Sequence, residues 1–210
     1  MAERRSFQTD RILAVSDGVV AISITLLALT LSVPVVKEIS DSEGLWPELR
    51  GLWREVLAYV MSFFIVGLLW SYHHLVFRHI RRANGTLLFL NMLFLLAISM
   101  MPFSSALVAN NWDERLAAIV YGSSLLLAAM AVAAIFAYAT SRRRLVDPDL
   151  DDTFIRRENI IAVWLLLVLA AAAALGFINP VLTYSVLGIL VTFYWVTIAL
   201  DREGVSARRK

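Results

Sequence analysis

The sequence predicts an all-α integral membrane protein of six transmembrane helices, and three observations predict it. Hydrophobic residues make up 60% of the 210-residue chain and charged residues 17%, against about half and about a quarter in a soluble domain. Six apolar runs each reach the roughly 20 residues that a hydrocarbon core about 30 Å thick requires. Lysine and arginine then alternate between the two sides of these runs, with 15 of the 19 basic residues on one side. That bias places both termini in the cytoplasm by the positive-inside rule.

The runs lie near Ile12–Val33, Val56–Phe77, Thr86–Val108, Leu116–Ala139, Asn159–Ile178 and Val181–Leu200, and residues 1–210 read as a single six-helix domain. A lipid-embedded backbone must satisfy its own hydrogen bonds, so runs of this length are helices. The first is too long for a secretory signal and lacks a small-residue cleavage site, so it reads as a retained helix. The loop from Pro34 to Trp53 carries Glu38, Asp41, Glu43 and Glu48, a solvated loop with a mild attraction for cations. Asn84-Gly85 makes a turn before the third helix, and Pro102 predicts a kink within it. Helices four and five are rich in alanine and leucine, as lipid-facing or scaffold helices are. Asp147-Pro148 breaks the third inner loop, and Asn179-Pro180 joins helices five and six as a tight antiparallel hairpin.

Composition also excludes chemistry. The absence of cysteine removes disulfides, thiol nucleophiles, iron–sulfur ligation and thiolate zinc sites. A pI near 9.1 follows from the loop arginines and calls for no nucleic acid. No residue set points to a cofactor, and the adjacent His73 and His74 diverge on a helix, which argues against a shared metal.

The first helix carries Arg11, Ser16 and Asp17 in its first turns. An ionisable group at membrane depth costs a few kcal/mol or more, about 3 on insertion scales, so it stands for a pathway or a partner. At about 100° per residue, Ile22, Leu26 and Leu29 share one stripe, edged by Gly18 and Thr25. Ser16, Ser23 and Thr30 form a second stripe, and Asp17, Ala21, Ile24 and Ala28 a third. Two faces of small or polar residues suit close helix packing. The aliphatic stripe faces either lipid or its own copies around an axis, where it would be a hydrophobic constriction. Periodicity does not choose between them. Asp17 points away from that stripe, toward Trp70, His73 and His74 of the second helix and Asn91 of the third. Their indole, imidazole and amide groups would satisfy a buried carboxylate.

Arg11-x-x-x-Val15-Ser16-Asp17 followed by GVVAISITLLAL resembles the first helix of the transmembrane protein 175 family of potassium channels, whose signature is an arginine, three residues, then Phe-Ser-Asp. WSYHHLVF (Trp70 to Phe77) and NMLFLLAISMMPFSSALV (Asn91 to Val108) follow in the same order, and Val15 stands where the signature has phenylalanine. The resemblance implies a homotetramer in the plasma membrane whose first helices line a central pore for monovalent cations, with K⁺ as permeant ion. It implies that Ile22 is the narrowest constriction, continued by Leu26 and Leu29, and that Thr25 bears on selectivity. Arg11, Ser16, Asp17, Trp70, His73, His74 and Asn91 become the network supporting the pore helix. The chain has no TVGYG-like loop, so a modest preference for K⁺ over Na⁺ is expected. Three rivals differ in kind. A proton-coupled secondary transporter would use Asp17, His73 and His74 but shows no inverted repeat. An intramembrane enzyme would need a nucleophile–base pair that is not visible. A scaffold would be sealed by its aliphatic rings.

Overall fold

The computed structural model describes residues 2–32 and 45–207. Glu38, Asp41 and Glu43 of the acidic loop lie outside the described residues. Helices α1 (Ala2–Ala28), α2 (Trp46–Gly51), α3 (Trp53–His79), α4 (Gly85–Ser99), α5 (Met101–Asn110), α6 (Arg115–Thr140), α7 (Asp152–Leu175) and α8 (Pro180–Ala207) follow in chain order. They provide six spans long and apolar enough to cross a membrane, α4 and α5 together making the third. The protein is a multi-pass membrane protein, and no strand occurs among the described residues.

Local chemistry sets the boundaries, and several depart from the expected ones. The first helix stops at Ala28, not near residue 33. Leu29, Thr30 and Leu31 turn back to the carbonyls of Leu26, Leu27 and Ala28, and the Thr30 hydroxyl donates to Leu27 O at 2.7 Å. Such side-chain bonds compete with helix continuation, and Pro34 in the sequence disfavours helix just before it. The third span is broken rather than bent. Pro102, at the second position of α5, has no N–H for the Ile98 carbonyl and its ring crowds that oxygen. The fifth helix starts at Asp152, seven residues before Asn159, because Asp151 caps it by accepting from the Thr153 amide at 3.0 Å. Asn84 caps α4 by accepting from the Leu87 amide at 2.9 Å. Asn179 accepts from the Val181 amide, starting α8 at Pro180.

The core centres on α6, which packs against α3, α4, α5, α7 and α8. The fourth helix is therefore the internal scaffold rather than a lipid-facing element, with Tyr121, Leu125, Ala128, Val132, Ile135 and Ala139 buried along it. Gly122 is required where α7 crosses. A Cβ there would lie 3.0 Å from the Ala173 Cα, the close approach that small residues permit between membrane helices. Tyr121, Ser62 and Ser105 tie three spans together, with both hydroxyl contacts to Ser62 at 2.9 Å.

The ends differ in chemistry. At one end Trp53, Trp112 and Tyr184 pack as tilted rings with separations of 5.7 and 4.4 Å, and aromatic residues gather in this way at a membrane interface. At the other, basic end, the two arginine-rich loops are joined. Ile80 bridges Val146, and the Arg81 amide donates to Leu145 O at 2.7 Å. Arg143, in a left-handed conformation, donates to Leu150 O and the Asp152 carboxylate, each at 2.6 Å.

Candidate functional site: the exposed face of the first helix

Helix α1 is held from one side only. Ser16, Val20, Ser23 and Leu27 are buried at a spacing of four, three and four residues, and they pack on α3, α4 and α5. The opposite face is uncovered. Ile22 is 60% exposed, Leu26 43% and Leu29 79%, and Gly18, Ala21, Thr25 and Ala28 are exposed beside them. The sequence predicted packing along two faces. Within one chain the Ser16/Ser23 face is packed, whereas Ala21 and Ala28 of the Asp17 face are open and Ile24 is half-buried. Leu29 falls just past the helix end, in the turn, rather than one turn further along a continuous helix. Thr25 donates its hydroxyl proton to Ile22 O at 2.8 Å, which leaves the oxygen of this exposed side chain free to accept.

Behind this face lie two hydrogen-bonded branches. In the buried branch His73 is fully enclosed and Asn91 is 1% exposed. The Asn91 amide nitrogen donates to Ser16 Oγ at 2.9 Å, and Ser16 donates to Ile12 O at 2.8 Å. Asn91 Oδ1 can only accept, so His73 Nε2 carries a proton and donates it across 2.8 Å. The ring stacks on Phe94 at 4.6 Å and packs against Phe77 at 4.4 Å. This branch fixes α1 against α3 and α4 at one depth. In the outer branch the Trp70 indole N–H donates to Asp17 Oδ1 at 2.9 Å. His74 Nδ1 stands 3.6 Å from the same oxygen, beyond hydrogen-bond range, with its ring 4.7 Å from that of Trp70. The expectation of a buried carboxylate is corrected, since the Asp17 side chain is half-exposed in one chain. The two histidines thus have different neighbours, Asn91 for His73 and Asp17 for His74. Arg11 is exposed beside a cavity of about 470 Å³ shared with Ile12, Val15, Leu88, Asn91 and Met92.

Known proteins resemble this chain in both sequence and fold. A sequence model of the family described as the endosomal/lysosomal potassium channel TMEM175 matches residues 11–102, the stretch that holds α1, the Trp70–His74 segment and Asn91. A potassium channel of Streptomyces collinus is 34% identical over 191 residues, covering 89% of this chain and 91% of that one. This chain belongs to the TMEM175 family. A potassium channel of Chamaesiphon minutus is 36% identical over 142 residues, 66% of this chain and 70% of its own. The crystal structure of a lysosomal potassium-selective TMEM175 homologue from Chamaesiphon minutus superposes with a TM-score of 0.80 at 30% identity, over 90% of this chain and 97% of that one. The family model matches up to residue 102, whereas the structural likeness covers 90% of the chain.

Sequence reasoning missed three features of this TMEM175 chain. Val20 and Leu27, the apolar anchors of α1, were passed over because they lie between the stripes it followed. The Tyr121–Ser62–Ser105 bonds join helices far apart in sequence. Glu158, in α7, is 4% exposed and accepts from Arg157 at 3.3 Å. A lone carboxylate at the start of an apolar run is the signal that could have found it.

Proposed function

We propose that four copies of this chain form a potassium-favouring cation channel with α1 of each copy lining the central pore. The observation that carries this reading is the exposed face of α1, a stripe of Ile22 and Leu26 flanked by Gly18, Ala21, Thr25 and Ala28, on a helix fixed from behind by buried polar bonds. A helix facing lipid needs neither the small residues nor that fixing. Helices that pack against copies of themselves use both. In this reading Ile22 forms the narrowest ring, with Leu26 and then Leu29 beyond it, and the rings gate by dewetting. Thr25, its proton committed to Ile22 O, offers oxygen lone pairs to a partly dehydrated cation. Four hydroxyls are a sparse substitute for a carbonyl-lined filter, so the preference for K⁺ over Na⁺ is modest. Arg11 and the branches from Asp17 and Asn91 set the angle of the pore helix.

The basic end faces the cytoplasm of the plasma membrane, both termini lie there, and residues 1–210 act as one domain. The chain is not an enzyme, and it works without cofactor or resident metal. The names of its relatives as potassium channels support the same reading. K⁺ flux into liposomes holding purified protein tests it. Ile22→Asn puts a hydrated side chain in the ring and should raise flux severalfold, while Ile160→Asn, on the outward face of α7, should not. Equal fluxes from wild type and Ile22→Asn would remove Ile22 from the permeation path.

A further inference from the structure

We propose that the groove between the first two spans at the basic end binds the phosphate headgroup of an anionic phospholipid. The groove has a volume of about 340 Å³, within the size range of small-ligand sites. It is separate from the exposed face of α1 and lies on the α3 side of that helix. Arg78 and Arg81, three residues apart at the end of α3, line it together with His74 and, from α1, Asp10. Asp10 is the carboxylate of the groove and Asp147 approaches Arg81 from its edge, so Arg78 is the guanidinium left for a phosphodiester.

The two arginines are presented differently. Arg81 has its backbone fixed by the bond to Leu145 O at 2.7 Å, and Asp147 approaches its Nε at 4.0 Å. Its side chain stays two-thirds exposed, so the outer nitrogens of the fork are available. Arg78 makes no hydrogen bond or ion pair among the described residues. A basic side chain in a groove that pairs with none of the described residues is fitted to a partner that arrives from outside the chain.

The apolar wall names the source of the phosphate. Leu13, Phe77 and Ile80 line the same groove, and Leu13 and Phe77 belong to the membrane-spanning part of α1 and α3. A headgroup seated on Arg78 and Arg81 would lay its glycerol and first methylenes against half-buried Leu13, with buried Phe77 and Ile80 forming the floor behind it. Free phosphate gains nothing from such a wall. Basic clefts between spans at the headgroup level are the usual form of a lipid site. The position also has a consequence, because His74 forms part of the wall and stands 3.6 Å from Asp17. The bound lipid therefore sits one side chain away from the contact that supports α1.

Native mass spectrometry of the purified full-length protein, offered equal amounts of phosphatidylglycerol and phosphatidylcholine, tests the proposal without depending on channel activity. Wild type should retain phosphatidylglycerol in preference by about tenfold or more. Arg78→Gln with Arg81→Gln should bring that ratio to within about twofold of unity, and the corresponding double lysine variant should keep it. Arg78→Gln alone, which removes no internal bond, should lose about half the effect on a logarithmic scale and covers the case in which the double variant fails to fold. Arg142→Gln, an exposed arginine of the same end but outside the groove, should behave as wild type. The proposal falls if Arg142→Gln lowers the ratio as far as the double glutamine variant does, if the double variant leaves it unchanged, or if inorganic phosphate displaces the lipid at matched concentration.

Discussion

Replacing Asn91 by alanine removes one donor and one acceptor from an enclosed site, and the geometry shows which loss matters. Ser16 keeps its own bond to Ile12 O at 2.8 Å, so losing the Asn91 amide leaves that hydroxyl satisfied as a donor. His73 has no such substitute. Its Nε2 proton goes only to Asn91 Oδ1, at 2.8 Å, and Phe77 and Phe94 enclose the ring. Hydrogen bonds between membrane helices average about 0.6 kcal/mol and reach about 1.7. The enclosure places this one near the upper value, and the space vacated by the amide adds about 1 kcal/mol. Asn91→Ala should therefore cost about 2–3 kcal/mol. His73→Phe keeps the stacked ring and deletes the donor, so in that background the same change should cost about 1.5 kcal/mol less. Reversible unfolding of the four proteins by dodecyl sulfate titration in mixed micelles measures the coupling. A coupling below about 0.3 kcal/mol, the range of independent sites, would refute the assignment of the His73 proton to Asn91.

Three further predictions concern the same end of the molecule and the exposed face of α1. Thr25→Ala should lower the K⁺/Na⁺ permeability ratio while leaving K⁺ current of similar size, and a ratio unchanged within error counts against the role given to its hydroxyl. Asp17→Asn keeps an oxygen for the Trp70 indole and should assemble as wild type, whereas Asp17→Ala leaves that donor unpaired and should lower the crosslinked tetramer fraction. Equal assembly by both variants removes Asp17 from the support. Bonds from the Thr153 hydroxyl and amide hold the Asp151 carboxyl below its usual range. Its capping contribution is thus fully present above the unfolded carboxylate pKa of about 3.9 and fades as pH falls below that, through the depressed folded value. Hydrogen-exchange protection at the start of α7 should drop in acid, and Asp151→Ala should abolish that pH dependence.

Much of this was legible because a bilayer restricts the alternatives. Run length and arginine placement gave six spans, and a 100° projection separated the Ile22 stripe from Asp17 before any contact was known. Asn91 could be named because an amide at that depth needs a partner, and Ser16 and His73 supplied it. What stayed hidden depended on neighbours. The central place of α6 follows from contacts that an alanine-rich sequence does not announce. Asp17 was expected to be buried because its projection aims it at the donors of the second and third helices, whereas only Trp70 reaches it and the side chain stays half-exposed. Ala28 ends α1 through the Thr30 side-chain bond and the nearby proline, short-range chemistry that hydropathy passes over. Glu158 follows Arg156 and Arg157 directly in the sequence, and its burial depends on neighbours that the local sequence does not announce.

The central claim is that α1 lines a potassium-favouring pore. Its most direct test is the reversal potential of purified protein in a planar bilayer with K⁺ on one side and Na⁺ on the other. Discrete current steps reversing toward the K⁺ equilibrium potential, displaced toward zero by Thr25→Ala, are the predicted result. Reversal at zero in wild type would contradict the selectivity. Silence in both wild type and Ile22→Ala, with the tetramer intact by crosslinking, would contradict the pore.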